Sequence, residues 1–287
     1  MSYGEWDRVV LEEAYDYIDY ISLHRYYNYN PDKHLFYPIK QSEKDIPFFF
    51  ADLQSFLDTV ISACDFVKGK RRSDKTINIS FDEWGVITDT GAVPGKSDQE
   101  YGYASFKQLD AVIYGGLLCV FLNNADRVKI ACQSLLVNEG GMITTDPSGK
   151  AIRQATFYPF KDVASYGKGV TLKGVTNMPK ARTEHYGEYE TAVISAVYNE
   201  EREEVNIFLM NSDMNEELSM DIDLKCFGEL KAIEWIELFD EDPYAKNTFD
   251  DEFRITPEKK ELEDPDGGKI SLTLKPHSWN VLRYKCK

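Results

Sequence analysis

Two acids, Asp82 and Glu83, stand side by side at the end of the strand-like run 76–84, in the order Phe81-Asp82-Glu83-Trp84. A carboxylate at a strand end can carry catalysis as nucleophile or proton carrier, or it can be a solvated surface group. Strand side chains alternate in direction. The alternation predicts that one of the two acids faces a pocket and the other meets a structural partner. His24 and Tyr26 lie two residues apart, just past a second strand-like run, so both fall on one side of an extended chain. They can join such a pocket, or be a satisfied structural histidine and a core tyrosine. Residues 128–132 form a third apolar run, which is expected to be buried core.

The elements around these residues can be placed from periodicity. Trp6, Val10 and Ala14 recur at helical spacing in 5–15, and 19–24 is a short apolar strand. After a Tyr-, Asn- and Asp-rich loop over 27–47 comes an amphipathic helix, 50–67, with Leu53, Phe56, Leu57, Val60, Ile61 and Cys64 on one face. A basic turn, 68–72, leads into the strand 77–81, and a Gly-rich loop covers 85–102. The helix 106–122 is apolar on most sides and must be deeply packed. A strand over 128–136 and a helix over 151–158 follow. Strands alternating with helices of this size mark parallel α/β units over residues 1–165. In such folds function collects at the carboxyl ends of strands, here His24, Glu83 and the region of Asn138. From 166 to 287 the pattern changes to short strands at 191–198, 205–210, 218–224, 232–238, 269–274 and 279–284. Acidic turns and an acidic surface loop, 239–266, separate them. That series predicts an antiparallel β-sandwich domain.

Composition excludes some partners. With 49 acidic against 33 basic residues the net charge is -16, which repels phosphate backbones and argues against nucleic acid. A neutral polysaccharide is not repelled. Aromatics at 13% suit sugar faces and equally suit a large aromatic core. The five cysteines are scattered and odd in number, with neither metal spacing nor a disulfide framework, so they are read as reduced and the setting as cytoplasmic. Residues 1–7 lack the features of a signal peptide, and no apolar run approaches about 18 residues, so no membrane span is expected.

Four segments together resemble glycoside hydrolase family 51, the α-L-arabinofuranosidases. They are Asp19-Tyr20-Ile21-Ser22-Leu23-His24-Arg25-Tyr26-Tyr27, Ser80-Phe81-Asp82-Glu83-Trp84, Ala125-Asp126-Arg127-Val128-Lys129-Ile130-Ala131 and Phe157-Tyr158-Pro159-Phe160, in the family's order and spacing. The resemblance implies a (β/α)8 TIM barrel followed by a β-sandwich, and cleavage of terminal arabinofuranosyl groups with retention. Its nucleophile position falls on Glu83, its arabinose-subsite His and Tyr on His24 and Tyr26, and Trp84 becomes a packing or subsite aromatic. Retention needs a second carboxyl about 5 Å away that gives and later takes a proton. No metal or cofactor is implied.

The chain also departs from the family. Only three barrel strands can be counted before residue 165, by resemblance the sixth to eighth, where a full barrel takes about 250 residues. The family's acid/base Glu, in an Asn-Glu pair on the fourth strand, has no counterpart: Asn138-Glu139, Asn199-Glu200 and Asn215-Glu216 stand elsewhere. Gly85 and Ile87 replace an Asn and an aromatic, and Leu135 replaces a sugar-holding Gln, with Gln133 close by. Losing that hydrogen bond costs about 1–3 kcal/mol if the hydroxyl is buried. A partial barrel also exposes a strand edge and apolar helix faces. Three readings stay open: a glycosidase acting on arabinose-containing oligosaccharides or polysaccharides, a catalytically incompetent remnant or half of a split enzyme, and an interaction module centred on the sandwich. The first two expect self-association into a homo-oligomer or pairing with a complementary amino-terminal chain.

Overall fold

The computed structural model describes residues 4–28, 42, 44–87 and 105–287. The first part alternates helix and strand: α1 (Glu5–Ala14), β1 (Tyr20–Asn28), α2 (Phe49–Arg71), β2 (Asn78–Ile87), α3 (Gln108–Asn123) and β3 (Val128–Gln133). β2 lies between β1 and β3, parallel to both. Of the predicted α2 stripe, Leu53, Phe56, Leu57, Val60 and Cys64 are buried and Ile61 is half-buried, and Val67 is buried as well. The last turn of α2 carries Lys68, Lys70 and Arg71, which complement the helix dipole.

The rest is mostly sheet. Two short pairs, β4 (Ile143–Thr145) with β5 (Ala151–Arg153) and β7 (Lys180–Arg182) with β8 (Glu188–Glu190), accompany α4 (Phe157–Tyr166) and β6 (Val170–Leu172). Then come β9 (Ala192–Asn199), β10 (Glu204–Asn211), β11 (Leu218–Asp223), β12 (Leu230–Leu238), β13 (Glu258–Lys260), β14 (Lys269–Leu274) and β15 (Ser278–Cys286). Five of them join β6 in one antiparallel sheet in the order β13-β12-β15-β10-β9-β6, and β11 pairs with β14 in a separate two-stranded sheet.

This large sheet is covered on both faces. Val205, Ile207, Leu209, Leu282 and Tyr284 point to a core shared with Leu218, Met220, Ile270 and Leu274 of the β11–β14 pair. The alternate residues Phe208, Met210, Trp279 and Val281 join the core that holds α3 and the parallel sheet. α3 is therefore wedged between two sheets, which explains why it is apolar all round. Gly115 and Gly116 make the close approach possible: a Cβ on either would collide with the Trp279 ring or the Met210 sulfur.

Several expectations need correction. The helix expected over 151–158 is instead β5 followed by α4. Residues 151–153 are claimed by a hairpin whose turn Asp146 closes by accepting the Ser148 and Lys150 amides. α4 starts at Phe157, with Pro159 in its first turn, where a missing N–H costs nothing. The third strand ends at Gln133, and Lys129, Ile130, Ala131 and Cys132 are exposed rather than buried core. Among the described residues β3 is an edge strand, and burial of an apolar run needs a neighbour that the run itself cannot specify. Trp6 is exposed, and α1 buries Asp7 and Leu11 instead. The Gly-rich loop and most of the 27–47 loop lie outside the described residues.

Candidate active site

β1 sorts its side chains by the period of two. Ile21, Leu23, Arg25 and Tyr27 are buried on the helix side, where Asp52 of α2 receives hydrogen bonds from Arg25 and from the Tyr27 hydroxyl. Ser22, His24 and Tyr26 take the opposite, open face.

β2 breaks the period, and the break builds the site. Between the pairs Ser22↔Ser80 and His24↔Glu83, β1 spends one residue and β2 spends two. The same excess recurs against β3, between Phe81↔Ala131 and Trp84↔Gln133. The extra residue is a β-bulge at Asp82 and Glu83, a device that re-aims side chains. Phe81 and Trp84 both stay buried, and both acids emerge on the open face. The expectation that only one acid could face the pocket is therefore corrected. Trp84 is corrected by the same bulge, since only 1% of it is exposed. Its ring packs 5.2 Å from those of Tyr114 and Phe121, so of its two expected roles the geometry serves packing.

The open-face residues form one connected cluster. The Tyr26 hydroxyl donates to Glu83 Oε2 at 3.0 Å, and His24 Nδ1 lies 3.4 Å from the same oxygen. His24 Nε2 faces Asp82 Oδ2 at 3.5 Å, and the Ser22 hydroxyl donates to Asp82 Oδ1 at 2.7 Å. The imidazole thus sits between two carboxylates, each slightly less than half exposed. Burial pushes the Asp82 carboxyl up, but the Ser22 hydroxyl, its own backbone amide and the His24 ring outweigh it, and the net shift is down. For Tyr26, burial raises the hydroxyl, a Ser134 hydrogen bond opposes this, and the Glu83 hydrogen bond and charge add to the rise.

A second layer lies beneath. The Gln133 amide donates to the Gly140 carbonyl at 2.8 Å and the Ser134 carbonyl at 3.0 Å, and reaches the Tyr114 hydroxyl at 3.4 Å. Burial raises Tyr114 far above an ordinary phenol. A Cβ at Gly85 would come within 2.9 Å of that hydroxyl. An Asn at this position would therefore crowd the Tyr114 hydroxyl. Sequence reasoning missed Ser134 and Tyr114, whose relation to the site arises only from tertiary packing. Leu135 is exposed, next to Ser134. No group of three or more metal-ligating side chains suited to a metal ion occurs among the described residues.

Comparison with known proteins points the same way. The family described as "Alpha-L-arabinofuranosidase C-terminal domain" matches residues 82–278. An intracellular exo-α-(1→5)-L-arabinofuranosidase of Halalkalibacterium halodurans is 35% identical over 98% of this chain and 55% of its own length. One of the same name from Acetivibrio thermocellus is 34% identical over 98% of this chain and 56% of its own. A solved family 51 α-L-arabinofuranosidase from Bifidobacterium longum superimposes with a TM-score of 0.85 at 28% identity, covering 98% of this chain and 56% of that one. The chain spans about half the length of the curated relatives it matches.

Proposed function

Since this chain belongs to the α-L-arabinofuranosidases of glycoside hydrolase family 51, we propose that it carries the nucleophile side of a retaining arabinofuranosidase site. Glu83 attacks the anomeric carbon as the glycosidic C–O bond breaks, which leaves a glycosyl-enzyme and a departing oxygen that takes up a proton from a general acid. Tyr26 and His24 fix the Glu83 carboxylate and line the arabinose subsite. The observation that carries this reading is the convergence of Tyr26 and His24 on one oxygen of Glu83. Residues 1–165 are the last three units of a (β/α)8 barrel and 166–287 a β-sandwich domain. The substrates are arabinose-containing oligosaccharides or polysaccharides. The setting is read as cytoplasmic, which fits the relatives whose printed names call them intracellular; no described helix is long and apolar enough to cross a membrane.

The proton donor is the missing part. A general acid needs a raised pKa, whereas Asp82, the other carboxyl on the open face, is shifted down. Asp82 therefore holds His24 and does not donate. Among the described residues no further acid contacts this cluster, and we take the donor to be supplied by a second copy or by a complementary amino-terminal part. The same observation favours a second reading, a half-site that binds arabinosides without turning them over.

An activated aryl arabinofuranoside separates the two, because a good leaving group departs without a general acid. The expected outcome is a burst of aryl alcohol stoichiometric with the chain, abolished in Glu83→Gln. No burst from the folded chain, with or without an added amino-terminal part from a relative, leaves the binding reading.

A further inference from the structure

The acidic loop between β12 and β13 leaves the antiparallel half and reaches the end of the parallel sheet where Glu83 stands. α3 runs beside β2 in the opposite sense: the Phe121 ring packs 5.0 Å from Phe81, and the Tyr114 ring 5.2 Å from Trp84. From Tyr114 back to Gln108 the helix axis spans about 9 Å. The start of α3 therefore lies past the carboxyl end of β2. There the Gln108 and Leu109 amides donate to the carbonyls of Ala245 and Pro243 at 2.8 and 2.9 Å.

This loop is braced. The Asn247 amide group donates to the Arg153 and Ile255 carbonyls, and its oxygen accepts the Ile255 N–H. Thr248 and Asp251 exchange hydrogen bonds. Asp240 gathers two stretches, because both its oxygens accept from the Arg254 guanidinium and one also accepts the Asp242 amide. Each stretch carries an aromatic ring turned to water. Tyr244 is 62% exposed and Phe253, next to Arg254, is 64% exposed. The Lys107 ammonium lies 5.8 Å from the centre of the Tyr244 ring, which orients it and leaves most of it open. Glu241, Asp242, Asp250 and Asp251 of the same loop are exposed as well.

We infer that Tyr244 and Phe253 form a second sugar-binding site, a platform for units of a neutral oligosaccharide remote from the unit at Glu83. A sugar lays a C–H face on an aromatic ring, and its rim of hydroxyls donates to carboxylates. The loop offers both groups together. Its acids, within a net charge of -16, repel anionic ligands. Its bracing holds the rings in place before binding, so little ordering cost is left. The platform stands beyond the reach of a single ring seated at Glu83, on the same end of the molecule, where a longer chain arrives. The choice of sugar rests on the glycosidase reading.

The full chain is titrated by calorimetry with a linear arabino-oligosaccharide and with methyl arabinofuranoside, a single unit. Hydroxyl-radical footprinting reads ring accessibility in parallel. The oligosaccharide should bind about tenfold tighter, and it alone should protect Tyr244 and Phe253 from oxidation. Tyr17, 88% exposed just before β1 begins and so at the opposite end of the sheet, is the internal control and stays reactive. Tyr244→Ala with Phe253→Ala should remove the tenfold gain, and the footprint of the unsubstituted chain decides the matter if that variant does not fold. Equal binding of the two sugars, two rings that stay reactive, or a folded double variant that keeps the gain overturns the inference. Protected rings in a chain that gives no aryl burst keep the platform and overturn the reading of Glu83. A burst without protection does the reverse.

Discussion

The two sheets of this molecule answer the same problem differently. The six-stranded antiparallel sheet alternates apolar residues to both faces and is covered on both, by α3 and by the β11–β14 pair. The parallel sheet covers one face with helices and leaves the other polar and half exposed. The first is complete within the chain. The second stabilises itself through one face only, and its open face carries the proposed site. Stability and the proposed function are thus separated onto different surfaces, and substitutions should sort by surface.

The largest difference is expected between Phe208 and Ile130. Phe208 is fully buried and stacks 6.0 Å from the Trp279 ring, so Phe208→Ala should cost about 3–5 kcal/mol in denaturant unfolding. Ile130→Ala on the exposed edge should change stability by less than about 0.5 kcal/mol. Equal costs would break the comparison.

Asp162 ties the two regions. Its side chain is buried on α4 and accepts the Trp279 indole N–H at 3.2 Å, and burial pushes its carboxyl up to about 6. A raised acid favours its protonated form in the fold, so that stabilisation is complete below the ordinary value of 3.8 and is lost as pH rises through 6. Asp162→Asn keeps an acceptor for Trp279. It should gain up to roughly 3 kcal/mol at pH 8 relative to the parent and none near pH 3, seen in thermal melts across pH.

Gly85→Asn probes the layer under the site. The collision with Tyr114 should cost about 1–3 kcal/mol, and adding Tyr114→Phe should recover part of it, giving a non-zero coupling in the double-mutant cycle.

The smallest effect is expected at Ser22. Ser22→Ala removes one donor to Asp82 and should move that carboxyl upward in an NMR titration, with a stability loss of about 0.5–1 kcal/mol. The Asp82 pKa is lowered, so its contribution is present at neutral pH and is lost as pH falls through the folded midpoint.

Much of this was legible in the residues. The apolar stripe of α2, the all-round apolar α3 and the strand runs of the antiparallel half follow from periodicity. His24, Tyr26 and Glu83 were singled out from residue type and position, and they do meet. The bulge was not legible. It carries no glycine marker and exists only relative to the registers of β1 and β3, so strict alternation misplaced Asp82 and left Trp84 ambiguous. The exposure of β3 was hidden for a related reason, since Val128 to Cys132 reads as core whether or not a neighbour is present.

The most direct test is peptide mapping after incubation with a mechanism-based arabinofuranoside inhibitor, on the chain alone and with an amino-terminal part from a relative added. A covalent adduct on Glu83, weakened by Tyr26→Phe, is the predicted result. A folded chain that acquires no adduct at Glu83 in either form, or one labelled elsewhere, would contradict the account.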